Sequence, residues 1–225
     1  GISLFIVPKW RVDADGRLWT GLIDGRIVRI SPDGTEQSVV ANTGGRPLGL
    51  HVARDGRVLI CDSYRGLLAL DPGTGELTSL VQNVEGRPLR FCSNVTETAD
   101  GTIYFTESTS AFHFEHFLGA VLEARGRGGL FRLGTDGTVT TVVDGLYFAN
   151  GVTVTADGSA LVFAETLARR LSKYWLTGPQ AGTVTPLAVH LPCMPDNIST
   201  GSDGRIWTAM VTAANPRAEA LMPKP

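Results

Sequence analysis

The stretch GVTVTADGSALVFAE, residues 151–165, carries the pattern that decides the fold. An alternating apolar run leads into Asp157-Gly158, and a β-rich run follows. Strand side chains alternate between faces, and Asp-Gly supplies the positive φ of a tight hairpin. The stretch therefore reads as two antiparallel strands. The same layout returns as WRVDADGRLWTG at 10–21, LHVARDGRVLICD at 50–62, NVTETADGTIYFTE at 94–107 and NISTGSDGRIWTAM at 197–210. The turn aspartates are Asp15, Asp55, Asp100, Asp157 and Asp203, separated by 40, 45, 57 and 46 residues. A second, weaker turn follows in most units, at 31–36, 71–76, 134–139 and 176–184. Four strands per period of roughly 40–50 residues mark a β-propeller blade. A β-sandwich would not repeat at this length.

Five such units are visible. The expected fold is all-β, a single propeller domain over 1–225, with six blades of which the last is not shown by this chain. Five units closing alone is the alternative. The longest spacing marks an insertion in the third unit, STSAFHFEHFLGAVLEARGRGG at 108–129. Its Phe112, Phe114, Phe117, Leu118, Val121 and Leu122 partly fit helical spacing, so the insertion is expected to be partly helical. Long insertions on a rigid scaffold form lids or substrate walls as readily as surface decoration.

Composition excludes several classes. Of 225 residues, 43% are hydrophobic and 19% charged, and the net charge of -2 offers no basic surface to nucleic acid. No run of 18 apolar residues is available to span a membrane. The opening GISLFIVPKW lacks the basic n-region of a signal peptide, although a signal or anchor trimmed from the N-terminus remains compatible with it. Three scattered cysteines (Cys61, Cys92 and Cys193) argue for a reducing compartment, so a cytoplasmic location is expected. No zinc spacing and no G-x-S-x-G elbow occurs, and Ser63 and Ser108 lack the context of a triad. A small-molecule substrate is the expected partner.

In a propeller the innermost strands line the axis. The residues just before them converge at one mouth from distant parts of the chain. Seven places before each turn aspartate stand Pro8, Leu48, Ser93, Asn150 and Asp196. The next column holds Lys9, Gly49, Asn94, Gly151 and Asn197. The last three units thus offer oxygen-bearing side chains. Carboxylate and amide oxygens drawn from several elements suit a hard divalent cation such as Ca2+, and a carboxylate beside it can act as general base. Turn chemistry alone explains any one of these residues. Together, Ser93, Asn94, Asn150 and Asp196 are the expected metal site, with Asp196 catalytic. Asn197, Glu107, Glu165, His113 and His116 are expected to line the substrate pocket. The two glutamates also read as structural strand-end carboxylates, and His113 and His116 form only a weak H-x-x-H pattern.

Four stretches carry a resemblance: 147–176, 194–210, 60–76 (ICDSYRGLLALDPGTGE) and 101–110 (GTIYFTESTS). They resemble the strictosidine synthase-like proteins, most of all the adipocyte plasma membrane-associated protein branch. That family sits in the wider superfamily of gluconolactonases, regucalcin and paraoxonases, which are six-bladed propellers. In the metal-dependent lactonase branch, a cation at the channel mouth is ligated by a glutamate, middle-blade asparagines and a later aspartate. Carried over by position, Asn150 and Asp196 match. Ser93 replaces the first asparagine, Asn94 stands where an aspartate is usual, and Pro8 falls near the glutamate. The resemblance implies a lactonase or arylesterase-type hydrolase. It equally implies a metal-free condensing enzyme with a glutamate base on the last blade. A propeller that only binds a small ligand or partner is the third reading.

Overall fold

The computed structural model describes residues 10–213, so Pro8 and Lys9 lie outside the described residues. Four antiparallel four-stranded sheets follow one another along the chain, each a simple meander. The first comprises β1 (Arg11–Val12), β2 (Leu18–Gly21), β3 (Arg26–Ile30) and β4 (Gln37–Asn42). The second comprises β5 (Pro47–Val52), β6 (Val58–Asp62), β7 (Gly66–Leu70) and β8 (Leu77–Val81). A two-stranded ribbon, β9 (Asn83–Val84) and β10 (Arg87–Pro88), precedes the third sheet. That sheet holds β11 (Cys92–Glu97), β12 (Ile103–Glu107), β13 (Gly128–Leu133) and β14 (Val139–Leu146). The fourth holds β15 (Ala149–Val154), β16 (Ala160–Glu165), β17 (Arg170–Trp175) and β18 (Val184–Ala188). A fifth sheet pairs β19 (Cys193–Thr200) with β20 (Ile206–Ala213). The repeat read from the sequence is therefore a β-propeller.

The Asp-Gly turns close each first hairpin because glycine adopts φ of 70–87° at Gly16, Gly56, Gly101, Gly158 and Gly204. In the last four, the aspartate accepts the amide two residues on, as Asp157 Oδ1 does from Ser159 N–H at 3.0 Å. These carboxylates are consumed locally.

The middle strands are buried on both faces, so they read as continuous apolar runs rather than alternating ones. One face of the second sheet (Val58, Ile60, Leu68, Leu70) packs on Trp19 and Ile27 of the first. The other (Leu59, Cys61, Leu67, Ala69) packs on Val95, Phe105 and Phe131 of the third. Leu161 and Phe163 close the next interface against Leu130 and Tyr104. Each buried side chain of this size contributes about 1.5–3 kcal/mol, so the sheets hold one another through these interfaces.

The insertion between β12 and β13 is helical only in part. A short 3-10 turn, Phe114–His116, runs into α1 (Phe117–Glu123). Gly128 and Gly129, expected within the insertion, already pair in β13. Among the described residues, no helix is long and apolar enough to cross a membrane.

Candidate functional site

The innermost strands β5, β11, β15 and β19 pack side by side. The sequence placed the candidate residues just before these strands. The structure instead puts them inside the strands, at a ladder irregularity. Pairing breaks between Pro47 and Leu50, Cys92 and Asn94, Ala149 and Val152, and Pro195 and Ile198. Leu48-Gly49, Ser93, Asn150-Gly151 and Asp196-Asn197 fall in those gaps. A bulge bends its strand and re-aims the side chains that lose their partners. The candidate column is thus a column of bulges.

Glycine lets the strands close up there. A Cβ on Gly49 would lie 2.6 Å from Ser93 O, and one on Gly151 would lie 2.6 Å from Asp196 O and 2.4 Å from Ile198 N. These approaches bring the polar side chains together. Ser93 Oγ–H donates to Asn150 Oδ1 at 3.4 Å, and Asn94 Nδ2–H donates to Asn197 Oδ1 at 3.5 Å. Ser93, Asn94, Asn150 and Asp196 are all buried, and Asn197 is half-buried.

Two threonines hold this arrangement. Thr106 Oγ1–H donates to Asn150 O at 2.6 Å and accepts from Asn94 N–H at 3.1 Å. Thr166 Oγ1–H donates to Pro195 O at 2.8 Å and accepts from Asn150 Nδ2–H at 3.3 Å. Because Nδ2 is spent on Thr166, the Asn150 carbonyl oxygen faces Ser93. Asn94 Oδ1, by contrast, already accepts from Val95 N–H at 2.9 Å.

Glu107 and Glu165 end their strands opposite Cys92 and Ala149, the first residues of β11 and β15. Both are buried, and both clamp the loop that enters the inner strand. Glu107 Oε1 accepts from Arg90 N–H at 2.7 Å, and Arg87 forms an ion pair with it at 2.7 Å. Burial pushes the Glu107 carboxyl up, opposed by Arg87 and the Arg90 amide. Glu165 Oε2 accepts from Tyr147 N–H at 3.0 Å, and Arg170 grips both its oxygens at 2.5 and 3.0 Å.

A third clamp escaped the sequence reading. Asp62 ends β6 and accepts from Arg46, Tyr64 and Arg65 N–H at 2.9–3.1 Å and from Thr43 Oγ1–H at 2.7 Å. The signal was present: Asp62-Ser63, Glu107-Ser108 and Glu165-Thr166 repeat an acid followed by a hydroxyl at the second-strand ends of the second, third and fourth sheets. Ser108 and Thr166 use their hydroxyls to bond the next inner strand, at Ala149 O and Pro195 O.

His113 and His116 lie apart from the column, in the insertion. His113 Nε2 accepts from the Arg90 guanidinium at 3.3 Å, and His116 is exposed. Among the described residues no three His, Cys, Asp or Glu side chains form a metal-holding cluster. The axial set is instead hydroxyl, amide and a single carboxylate. Those are hard oxygen donors of the type that binds Ca2+ or Mg2+, though with one formal charge.

The fold is a β-propeller with a buried column of hydroxyl, amide and carboxylate groups along its inner strands. Family models for strictosidine synthase and for the strictosidine synthase-like N-terminal region match residues 94–179 and 10–30. The chain is 33% identical to protein STRICTOSIDINE SYNTHASE-LIKE 13 of Arabidopsis thaliana over 92% of its own length and 58% of that protein. It is 34% identical to the adipocyte plasma membrane-associated protein of Salmo salar over 86% of its length and 50% of that protein. The chain belongs to the strictosidine synthase-like family. It spans about half the length of these curated relatives. Among solved structures, a gluconolactonase from Xanthomonas campestris aligns at TM-score 0.73 and 20% identity, covering 90% of this chain and 68% of that one. The calcium-binding protein regucalcin from Agrobacterium tumefaciens aligns at TM-score 0.69 and 19% identity, covering 92% and 70%. At these identities the likeness establishes the fold alone.

Proposed function

We propose that the chain hydrolyses a lactone or ester, in the manner of a lactonase or arylesterase, at the axial mouth. Asp196 is the acid–base carboxylate, and Ser93, Asn150 and Asp196 hold a divalent cation, Ca2+ foremost. The observation that carries this reading is the fixed Asn150 carboxamide. Thr166 takes its Nδ2–H, so its Oδ1 stands 3.4 Å from Ser93 Oγ in the same column of bulges as buried Asp196. Asn94 is the weakest ligand of the four candidates, because its Oδ1 is committed to a backbone amide. A structural relative described as calcium-binding supports the choice of ion.

When bound, the cation would supply Lewis-acid polarisation of the substrate carbonyl. The chain's own groups do the rest. Asp196 accepts a proton from the attacking water as the new carbon–oxygen bond forms, then returns it to the leaving alkoxide as the acyl–oxygen bond breaks. The Asn94–Asn197 pair, buried on the Asn94 side, keeps the wall beside it rigid. Six to eight oxygens surround a bound Ca2+, so water and substrate would complete the shell. One formal charge implies weak affinity.

The test is turnover of an aryl ester and lactone panel after chelation, with calcium added back, and by Asp196→Asn. Removing a general base costs about 10²–10⁴-fold. Hydrolysis unchanged by chelator and by Asp196→Asn would sink this reading. Chelator-indifferent condensation of an amine with an aldehyde would put the metal-free alternative in its place, which the family membership favours.

A further inference from the structure

The insertion and the loops that enter the inner strands meet at the same end of the sheets. Phe91, two residues before Ser93, packs on Phe114 of the insertion at 5.6 Å and on Phe148, two residues before Asn150, at 5.5 Å. Phe114 in turn packs on Phe117 at 6.2 Å. An aromatic wall thus runs from beside the polar column to the insertion.

Two buried ring or guanidinium nitrogens on this wall, Arg46 Nε and His113 Nδ1, make no hydrogen bond among the described residues. The Arg46 guanidinium lies 5.0 Å over the Phe114 ring, and its Nε–H is buried and makes no hydrogen bond among the described residues. Burial pulls its pKa down, opposed by Asp62. Arginine only donates, so His113 Nε2 must accept from Arg90. The proton of the neutral ring therefore resides on Nδ1, which is likewise buried and without an acceptor. His113 is the chain neighbour of Phe114, the ring beneath Arg46, and its own ring lies 6.0 Å from that of Tyr64. The nearby acids are already engaged. Asp62 accepts four bonds, and Glu115 accepts from Tyr64 O–H at 2.6 Å.

Buried donors that lack acceptors are costly, so native structures supply a partner. We propose that Arg46 and His113 form a subsite for a carboxylate, and that the ligand is an aryl or alkyl carboxylate whose apolar body lies on the half-buried Phe114 and Phe148. Arg90 is the positioning residue, because it fixes the His113 tautomer. A planar carboxylate matches two N–H donors on an aromatic wall, whereas a phosphate would leave a third oxygen bare. Phe91 and Phe148 stand two residues before Ser93 and Asn150, so the aromatic wall leads from the subsite toward the column. As a statement about the substrate, this rests on the hydrolase reading above. As a statement about binding, it stands alone.

The test is calorimetric titration of the chain with benzoate, benzamide and inorganic phosphate. Benzoate is expected to bind about tenfold tighter than benzamide, the value of one charge-assisted hydrogen bond, and tighter than phosphate. Arg46→Gln should bring the benzoate-to-benzamide ratio close to one, Arg46→Lys should restore part of it, and His113→Phe should lower it several-fold. The wild-type ratio needs no variant, so it decides the matter even if a substitution unfolds the chain. Equal binding of benzoate and benzamide overturns the subsite, as does phosphate binding as tightly as benzoate, or a ratio unmoved by Arg46→Gln. Ester turnover without benzoate preference removes the subsite and leaves the role of Asp196. Benzoate preference without turnover does the reverse.

Discussion

The second and fourth sheets follow one plan and present opposite chemistry at the axis. Each inner strand breaks its ladder at the same place, and each puts a glycine there against the neighbouring inner strand. The residue before that glycine is Leu48 in one and Asn150 in the other, both buried. The bulge and the glycine are therefore scaffold, which fixes where a side chain points. The residue beside the glycine decides whether that direction carries a ligand oxygen or a hydrocarbon. Among the described residues, this column is polar in the third to fifth sheets and apolar in the second.

If the glycines are scaffold, replacing either should damage both halves alike. Gly151→Ala drives a Cβ to 2.4 Å from Ile198 N, and Gly49→Ala to 2.6 Å from Asn94 Cα. Backbone atoms cannot rotate aside, so each should lose about 3 kcal/mol or more in denaturant unfolding. A loss confined to Gly151→Ala would show that only the polar side is tightly built.

The strand-end acids sharpen the contrast with Asp196. Glu165 is 1% exposed, and its loss strands both Arg170 and the Tyr147 amide. Arg170 is itself 41% exposed and can rehydrate, so Glu165→Ala should cost about 2–3 kcal/mol, below the usual range for a broken buried pair. Asp196→Asn should instead reduce turnover with a much smaller change in unfolding midpoint. Equal stability losses from both would make Asp196 a clamp like the others.

The inner strand of the second sheet also carries His51. Burial, with the Arg11 charge adding to it, pulls its pKa from 6.5 to about 4. The folded chain thus holds a neutral ring that the unfolded chain would protonate first. Its stability contribution is intact above pH about 6.5 and is lost as pH falls toward 4. A shift of that size corresponds to about 3 kcal/mol, which residual solvent contact lowers to about 2. Urea midpoints measured between pH 7 and 4 should fall, and His51→Gln should flatten that part of the profile. An unchanged slope in the variant would assign the acid sensitivity elsewhere.

Much of this architecture was legible because it is periodic. Asp-Gly at five positions fixed the hairpins, and counting back from each aspartate found Ser93, Asn150 and Asp196. Counting could not show the bulges, because a ladder irregularity leaves no residue signature beyond the glycines at 49 and 151. Glu107 and Glu165 stood out as acids, but their partners Arg90 and Tyr147 are known only from the fold. Arg46 was invisible in the sequence. Nothing local shows that Phe114, 68 residues on, lies beneath its guanidinium.

The smallest effect isolates the orientation of Asn150. Thr166→Val keeps the shape of the side chain but removes the acceptor for Asn150 Nδ2–H and the donor to Pro195 O. The lost hydrogen bonds should cost about 1 kcal/mol of stability. The carboxamide then loses the contact that distinguishes its nitrogen from its oxygen. If Asn150 Oδ1 is a ligand, calcium-dependent protection against thermal unfolding should weaken several-fold while the calcium-free midpoint shifts little. If the carboxamide is only packing, the two midpoints should move together, and the fourth sheet would then differ from the second in polarity without differing in function.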